Sequence, residues 1–505
     1  MKENDRQDER TAADGAGYGH ILKYTGLLGG VQAVYMLASL VRNKCTAVLI
    51  GTLGMGLSDL YSRSCDLVGN MTSFGMGFSG VRRLSAVVEE GNARAVAHEI
   101  RLIRSWILLA ALLGLAAGLL LSPLLSLLTT GGYASTGSYA LLAPVPALAT
   151  LSAGELAVLK GTRRLKHLAA VSVLGALSTL LISVTVYFFL GLRGVIPVLL
   201  LTTAALLALQ LRATTRFCPY RVSLRSPRFL RQGIAMVRLG SAYIVAGIIT
   251  SAAEMVVRTF VARSASVAEV GLYAAGLTLT VTCSRFVFMA MDADFFPRLS
   301  ALASDRERTN AAINRQIDVC VLLMAPLLLL FILALPLVVH ILYTPEFLGA
   351  IPMVLCAVSY MFFKAIYTPA AYLPLARAHS WLYLAVESTY NVVFCLAVVL
   401  GFRWGGLTGA GLGLSVANLS DLLIVSTVYG RRYGFRFERA TLRRCLLHYA
   451  LLLVGLFAAF QSQPLLHYAL GTLALLFSAA LSWRLLTRET GLSKRLHTFF
   501  RRKQM

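Results

Sequence analysis

No polar stretch in this chain is long enough to fold as a soluble domain, and charge is scarce along its whole length. Only 14% of its 505 residues are charged, against about a quarter in ordinary soluble proteins. With 57% hydrophobic residues and a mean hydropathy of +0.71, a water-soluble fold would leave far too much apolar surface outside, so lipid must be the main solvent. Acid is scarcer than base: 23 Asp and Glu stand against 47 Lys and Arg, a net charge of +24. In a soluble chain that balance would suggest nucleic acid. Here the basic residues sit in short stretches between apolar spans, the pattern of the positive-inside rule, and no nucleic-acid partner is expected. The eight cysteines, Cys45, Cys65, Cys218, Cys283, Cys320, Cys356, Cys395 and Cys445, form no CxxC pair and have no His at ligand spacing. Neither a disulfide framework nor a metal site is expected. No P-loop or catalytic triad pattern appears, so neither ATP hydrolysis, nor any other enzymatic activity, nor a cofactor is expected. Residues 1–20 lack the basic, apolar and small-residue sequence of a signal peptide and read as a short cytoplasmic tail.

What fills the rest is apolar helix. A bilayer core takes roughly 20 apolar residues, which divides the chain into about fourteen spans: 21–41, 57–80, 105–127, 138–159, 168–190, 194–211, 235–257, 270–291, 317–342, 348–372, 380–401, 407–429, 446–461 and 466–485. With the N-terminus inside, one set of loops holds clusters such as Arg82, Arg83, Arg94, Arg101 and Arg104, then Lys160, Arg163, Arg164 and Lys166, then Arg212 to Arg231, and later Arg431 to Arg444. The other set holds only Arg42, Lys44, Arg193, Arg258, Arg263 and Arg403. The bias is roughly five to one and predicts both termini inside.

A shift of 215 residues aligns Gly56-Leu57 with Gly271-Leu272 and Arg83-Leu84-Ser85-Ala86 with Arg298-Leu299-Ser300-Ala301 without a gap. These matches bracket the second and eighth spans. Two parallel six-span halves, related by an axis along the membrane normal, would produce this pattern. The expected fold is thus an all-α polytopic membrane protein of about 14 transmembrane helices. Its parts are a tail at 1–20, pseudo-symmetric six-helix lobes at 21–228 and 229–434, and a C-terminal helix pair with a basic tail at 435–505.

Ionisable residues at membrane depth are functional candidates by default, since each costs several kcal/mol or more. Arg285 has Val281, Thr282, Phe288 and Met289 as its helical neighbours, none able to neutralise it. It faces water, an anionic ligand, or a salt bridge to Glu254 or Asp59. Arg63 lies between Asp59 and Asp66 on one helix face, either a self-neutralised cluster or a substrate or coupling-ion site. Glu254 and Arg258 stand four residues apart, as a structural pair near the outer face or an ion-coupling site. Lys364 has no acidic neighbour at helical spacing and suits a cavity. Glu387 and Asp421 are single acids able to carry a proton or cation or to bond a neighbouring helix. Pro326 and Pro336 are expected to interrupt the ninth span, and Pro369 and Pro374 to end the tenth.

Several stretches carry a resemblance. KCTAVLIGTLGMGLSDLY (Lys44–Tyr61), LKGTRRLKHL (Leu159–Leu168), VGLYAAGLTLTVTCSRFVFMAMDADFFPRLSA (Val270–Ala301), LYTPEF (Leu342–Phe347) and GGLTGAGLGLS (Gly405–Ser415) resemble the bacterial polysaccharide, O-antigen-type flippases of the multidrug/oligosaccharidyl-lipid/polysaccharide exporter superfamily. In the third stretch Phe295 and Phe296 replace the family's tyrosines. The resemblance covers roughly residues 20–435. It implies a lipid-linked oligosaccharide as substrate, carried on undecaprenyl diphosphate, and alternating access across the bacterial inner membrane. It also implies membrane lipids, a polysaccharide polymerase and glycosyltransferases as partners. A diphosphate needs cations in a low-dielectric cavity, and Arg285, Arg63 and Lys364 are the candidates. Asp59, Asp66, Glu254 and Glu387 are the candidates for ion coupling. The competing reading is a cation-coupled drug antiporter of the related MATE branch, which would favour acidic and aromatic cavity residues. A membrane glycosyltransferase or polymerase would need a large catalytic loop, and none is visible.

Overall fold

The computed structural model describes residues 2–223, 227–302, 305–377, 379–461 and 463–490, with side chains described from Gly30 onward and at most later positions. Arg225 and the tail cations Lys494, Arg495, Arg501, Arg502 and Lys503 lie outside the described residues, as do the side chains of Lys23, Asp294 and Phe296. Every regular element among the described residues is helical. In chain order they are α1 (Lys2–Thr72), α2 (Met76–Glu89), α3 (Ala93–Thr130), α4 (Thr136–Leu142), α5 (Pro144–Gly161), α6 (Leu165–Leu190), α7 (Val195–Thr215), α8 (Pro227–Ser264), α9 (Val267–Leu302), α10 (Arg306–Leu342), α11 (Ile351–Ala371), α12 (Leu373–Ala376), α13 (Ser380–Tyr433), α14 (Arg439–Ala459) and α15 (Pro464–Thr490). Short 3₁₀ turns occupy Gly191–Gly194 and Pro345–Ala350.

Eleven helical stretches among the described residues are long and apolar enough to cross a membrane. Three of them, Gly30–Thr72, Leu165–Thr215 and Ser380–Tyr433, run to 43, 51 and 54 residues, about twice the length a bilayer core takes. Each contains a break. Gly51 is non-helical (φ 61°) inside α1, the 3₁₀ turn separates α6 from α7, and Gly405 and Gly406 are non-helical inside α13.

The second span does not run to residue 80 as expected. The helix ends at Thr72, the chain turns through Phe74 and Gly75, both with positive φ, and α2 starts at Met76. In the repeat-related copy, Gly75 corresponds to Ala290, and α9 continues unbroken to Leu302. A left-handed residue is cheap for glycine and costly for alanine, so one copy breaks where the other does not. Pro369 and Pro374 flank the end of the tenth span as expected, whereas Pro326 and Pro336 do not interrupt the ninth. Pro326 and Pro336 lie inside a continuous α10, and Pro369 lies inside α11, which ends two residues later. Neighbouring helices and local adjustment re-satisfy the freed carbonyls, as membrane helices often allow.

The chain divides into two compact units. One comprises residues 1–54 and 60–244, the other 55–59 and 245–505. In the first, Met76, Leu84, Ile103, Trp106, Ile107 and Val158 form a buried core around α2, α3 and α5. In the second, Val257, Val261, Val270, Tyr273, Met353, Ala357, Val398, Ala410 and Leu414 do the same for α8, α9, α11 and α13. There the two halves of α13 approach to backbone contact. A Cβ on Gly409 would collide with the Gly401 carbonyl, and one on Gly411 with the Met353 carbonyl of α11. Residues this small let helices meet without intervening side chains.

Candidate functional site

The polar interior of the second unit brings together four helices. Lys364, half-buried on α11, holds its Nζ 5.7 Å from the Phe288 ring of α9 and 5.6 Å from the Tyr360 ring one turn earlier. Two aromatic faces around a desolvated ammonium suit cation–π attraction. Its charge also acts on two carboxylates from α13: Glu387 feels Lys364, and Asp421 feels both Glu387 and Lys364. Lys364 thus has no acid on its own helix, as expected, and finds two on a neighbouring one.

A hydrogen-bonded frame fixes this trio. Tyr367 donates to Asn418 Oδ1 at 3.0 Å, and Asn418 Nδ2 donates to the Leu414 carbonyl at 3.0 Å and to the Tyr390 hydroxyl at 3.3 Å. Asn391 Nδ2 donates to the Glu387 carbonyl at 2.8 Å and to the Thr250 hydroxyl of α8 at 3.1 Å. Asp421 is buried, and its Oδ1 accepts no hydrogen bond among the described residues. A buried acceptor atom in this condition costs about 1–3 kcal/mol.

The acids near the chain's middle are arranged otherwise than their spacing suggested. Asp59 reaches beyond its own helix. Its Oδ2 accepts from Arg258 Nε at 2.5 Å, within the second unit. Arg258 is not near water either: its side chain is 3% exposed, and it also donates to the Glu254 carbonyl at 3.0 Å while the Glu254 carboxylate stands 3.9 Å away. The guanidinium lies 5.6 Å from the ring of Tyr273, itself fully buried. Helical spacing finds the Glu254 neighbour but not the interhelical one, which is the closer. Arg63 pairs with Asp66, at 3.5 Å on a half-exposed helix face of the first unit. Arg285 is exposed, and no ion pair or hydrogen bond joins it among the described residues. Neither Glu254 nor Asp59 neutralises it. It lies one turn before Phe288, on the face of α9 turned to Lys364.

Sequence reasoning missed the most buried ion pair among the described residues. In the first unit, Arg104 of α3 makes a two-point contact with Glu155 of α5, at 2.7 and 2.8 Å, with side chains 2% and 4% exposed. Arg104 also donates to the carbonyls of Cys218 and Pro219, at 3.1 and 3.0 Å. Thr214 donates to Glu155, and Ser152 donates to Gln210 at 2.6 Å. Tyr220 covers the pair with its ring 4.8 Å from the guanidinium. Partial burial, helped by the Glu155 carboxylate and opposed by Arg104, pushes its phenol up from the usual range. Arg104 therefore is not the loop charge its position suggested. It clamps the segment after α7. The signal for it was Glu155, a lone acid inside an apolar span.

Comparison with known proteins fits this architecture. Residues 103–352 match the family model described as polysaccharide biosynthesis protein. An inward-facing multidrug resistance MATE family transporter of the MOP superfamily superposes with a TM-score of 0.63 at 12% identity, over 80% of this chain and 94% of that one. The lipid II flippase MurJ, in its inward closed conformation, superposes with a TM-score of 0.58 at 13% identity, over 92% of this chain and 99% of that one. The fold is that of the MOP transporters. The MATE multidrug transporter DinF-BH, solved with R6G, shares it too, with a TM-score of 0.58 at 15% identity over 82% and 97%. No curated protein matches the sequence significantly. The chain thus combines a match to a polysaccharide biosynthesis family over residues 103–352 with a fold shared by membrane transporters and flippases, and eleven of its described helical stretches are long and apolar enough to cross a membrane.

Proposed function

We propose that this chain is an alternating-access flippase that moves an undecaprenyl-diphosphate-linked oligosaccharide from the cytoplasmic to the periplasmic leaflet of the bacterial inner membrane, for assembly of an O-antigen-like surface polysaccharide. The observation that carries the proposal is the polysaccharide biosynthesis match across a MOP-type fold. Fourteen passes, as two six-helix lobes and a C-terminal pair, are supported by the glycine and 3₁₀ breaks within the three double-length helices. The loop charges support both termini inside. Arg285 and Lys364 are the cations offered to the diphosphate, because Arg285 has no partner among the described residues and Lys364 stands in a polar interior. Arg63, tied to Asp66, is the weaker member of the set. Glu387 is the coupling acid that Lys364 touches electrostatically. Asp59 and Glu254 serve Arg258 instead, and Asp66 serves Arg63.

The deciding experiment is glycan export in cells lacking the chromosomal gene. Arg285→Ala abolishes export at normal protein level if the arginine holds the diphosphate. Unchanged export removes it from the site. The MATE reading has one observation in its favour, the acids and aromatic rings around Lys364. On that reading Glu387→Gln or Asp421→Asn abolishes drug-cation efflux from proteoliposomes, and Arg285→Ala leaves it intact.

A further inference from the structure

A second cationic cavity lies apart from the interior of the bundle, where the first turns of α10, the short α12 and the end of α13 meet. It is an open cleft lined by Arg306, Thr309, Asn310, Ile313, Leu373, Arg377, Tyr433 and Phe435. No carboxylate lines it. Neither Arg306 nor Arg377 makes an ion pair among the described residues, and the Nε of Arg377 is buried without a hydrogen bond there.

The walls are built to hold Arg377 in place. Its guanidinium lies 4.9 Å from the Tyr433 ring centroid. That ring in turn stacks on His379, with an interplanar angle of 10°, and shares a 2.8 Å hydrogen bond with its Nδ1. The Tyr433 hydroxyl also feels the charges of Arg377 and Arg432. The floor is fixed from below: the Asn310 side chain accepts from the Arg436 backbone at 2.9 Å, and Asn314 holds the Arg436 carbonyl and the Glu438 amide at 2.9 Å each. A stacked arginine with an unused donor, a second arginine in the same lining and no carboxylate within that lining form an anion site. Planar guanidinium donors match phosphate oxygens in particular.

The geometry points to a phosphate-binding site at Arg306 and Arg377, occupied by the phosphate of an anionic phospholipid headgroup or by a free phosphate of the same chemistry. Its position where membrane-crossing helices end in polar sequence is the depth at which headgroups sit. The alternative explanation is that these arginines belong only to the general basic bias of one membrane face. The two differ in locality, because diffuse charge does not distinguish one arginine pair from another.

The test uses the full-length protein in a neutral detergent, with two probes: phosphatidylglycerol against phosphatidylcholine, counted as retained lipids by native mass spectrometry, and inorganic pyrophosphate, titrated by thermal shift. Wild type binds at least one of the two. Binding of phosphatidylglycerol alone identifies the lipid as occupant, and binding of pyrophosphate alone identifies a free phosphate. The double variant Arg306→Gln/Arg377→Gln weakens that binding by about tenfold or more, from two lost charge-assisted bonds. Arg306→Gln alone weakens it several-fold and cannot unfold the protein, because Arg306 is exposed. Arg439→Gln/Arg443→Gln removes the same charge from exposed positions outside the cavity and leaves binding unchanged. The proposal is overturned if neither probe binds, if the pocket variants bind as wild type does, or if the control pair loses as much as they do.

Discussion

Replacing Arg104 by Met, or Glu155 by Leu, should destabilise the first unit more than replacing both together. Each side chain is almost wholly buried, and the two share a two-point contact. Removing one leaves the other charge in a low-dielectric interior, a loss of about 3–5 kcal/mol. Removing both leaves no buried charge. What remains unsatisfied is the pair of carbonyls at Cys218 and Pro219, at about 1 kcal/mol each. The Thr214 hydroxyl keeps a bond to the Gln210 carbonyl at 3.1 Å. The double variant should thus cost about 2 kcal/mol, less than either single change and far less than their sum. Trp106 is buried in the same core and is the one tryptophan in this unit, the others being Trp381, Trp404 and Trp483. In a background with Trp381, Trp404 and Trp483 replaced by Phe, its fluorescence during denaturant titration in mixed micelles reports on this unit. A double variant costing the sum of the singles would refute the reasoning, and so would singles costing under about 1 kcal/mol, the range of exposed pairs.

Other expectations follow from the second unit. Lys364→Gln should lower glycan export about tenfold or more with normal protein level, because it removes the cation between two aromatic rings and two acids, and Lys364→Arg should restore part of it. Gly411→Val should abolish the detergent-extractable, monodisperse protein seen by size exclusion, since its side chain would collide with backbone rather than with a movable side chain, a cost above the usual ~1–3 kcal/mol of overpacking. Gly405→Ala, where an added Cβ meets nothing within 4 Å, should leave that profile intact. Asp59→Asn should lower the thermal stability of the protein by uncovering the buried Arg258 charge, worth about 3–5 kcal/mol, whereas Asp66→Asn, at a half-exposed position, should shift it little.

Features that depend on one helix at a time were legible in the sequence. Apolar runs located the membrane-crossing stretches, and the gap between the spans at 380–401 and 407–429 holds the Gly405–Gly406 break inside α13. Lys364 stood out because its own helix offered no acid. Features that depend on two helices were hidden. Asp59 has Arg63 at helical spacing, yet it pairs with Arg258, about 200 residues away, because burial makes that contact much stronger than an exposed one. Glu155 and Arg104 are 51 residues apart, and no periodicity relates them. Phe74 and Gly75 broke a span that mean hydropathy read straight through, since hydropathy does not register a left-handed turn. Pro326 and Pro336 misled in the opposite direction, their cost being absorbed by packing that a single helix does not display.

The backbone contact inside α13 has an electrical consequence. Glu387 lies before the Gly405–Gly406 turn and Asp421 after it, and the two halves touch at Gly401 and Gly409 without side chains between them. Their separation is therefore set by backbone, and both acids shift as one body in any rearrangement of this unit. With Lys364 they carry a net charge of −1 when both are ionised and none when one takes a proton. A charge displaced through the whole membrane field is worth about 2.3 kcal/mol per 100 mV. On the proposed coupling role, protonation of one of these acids changes the charge that the trio carries through the membrane field by one unit.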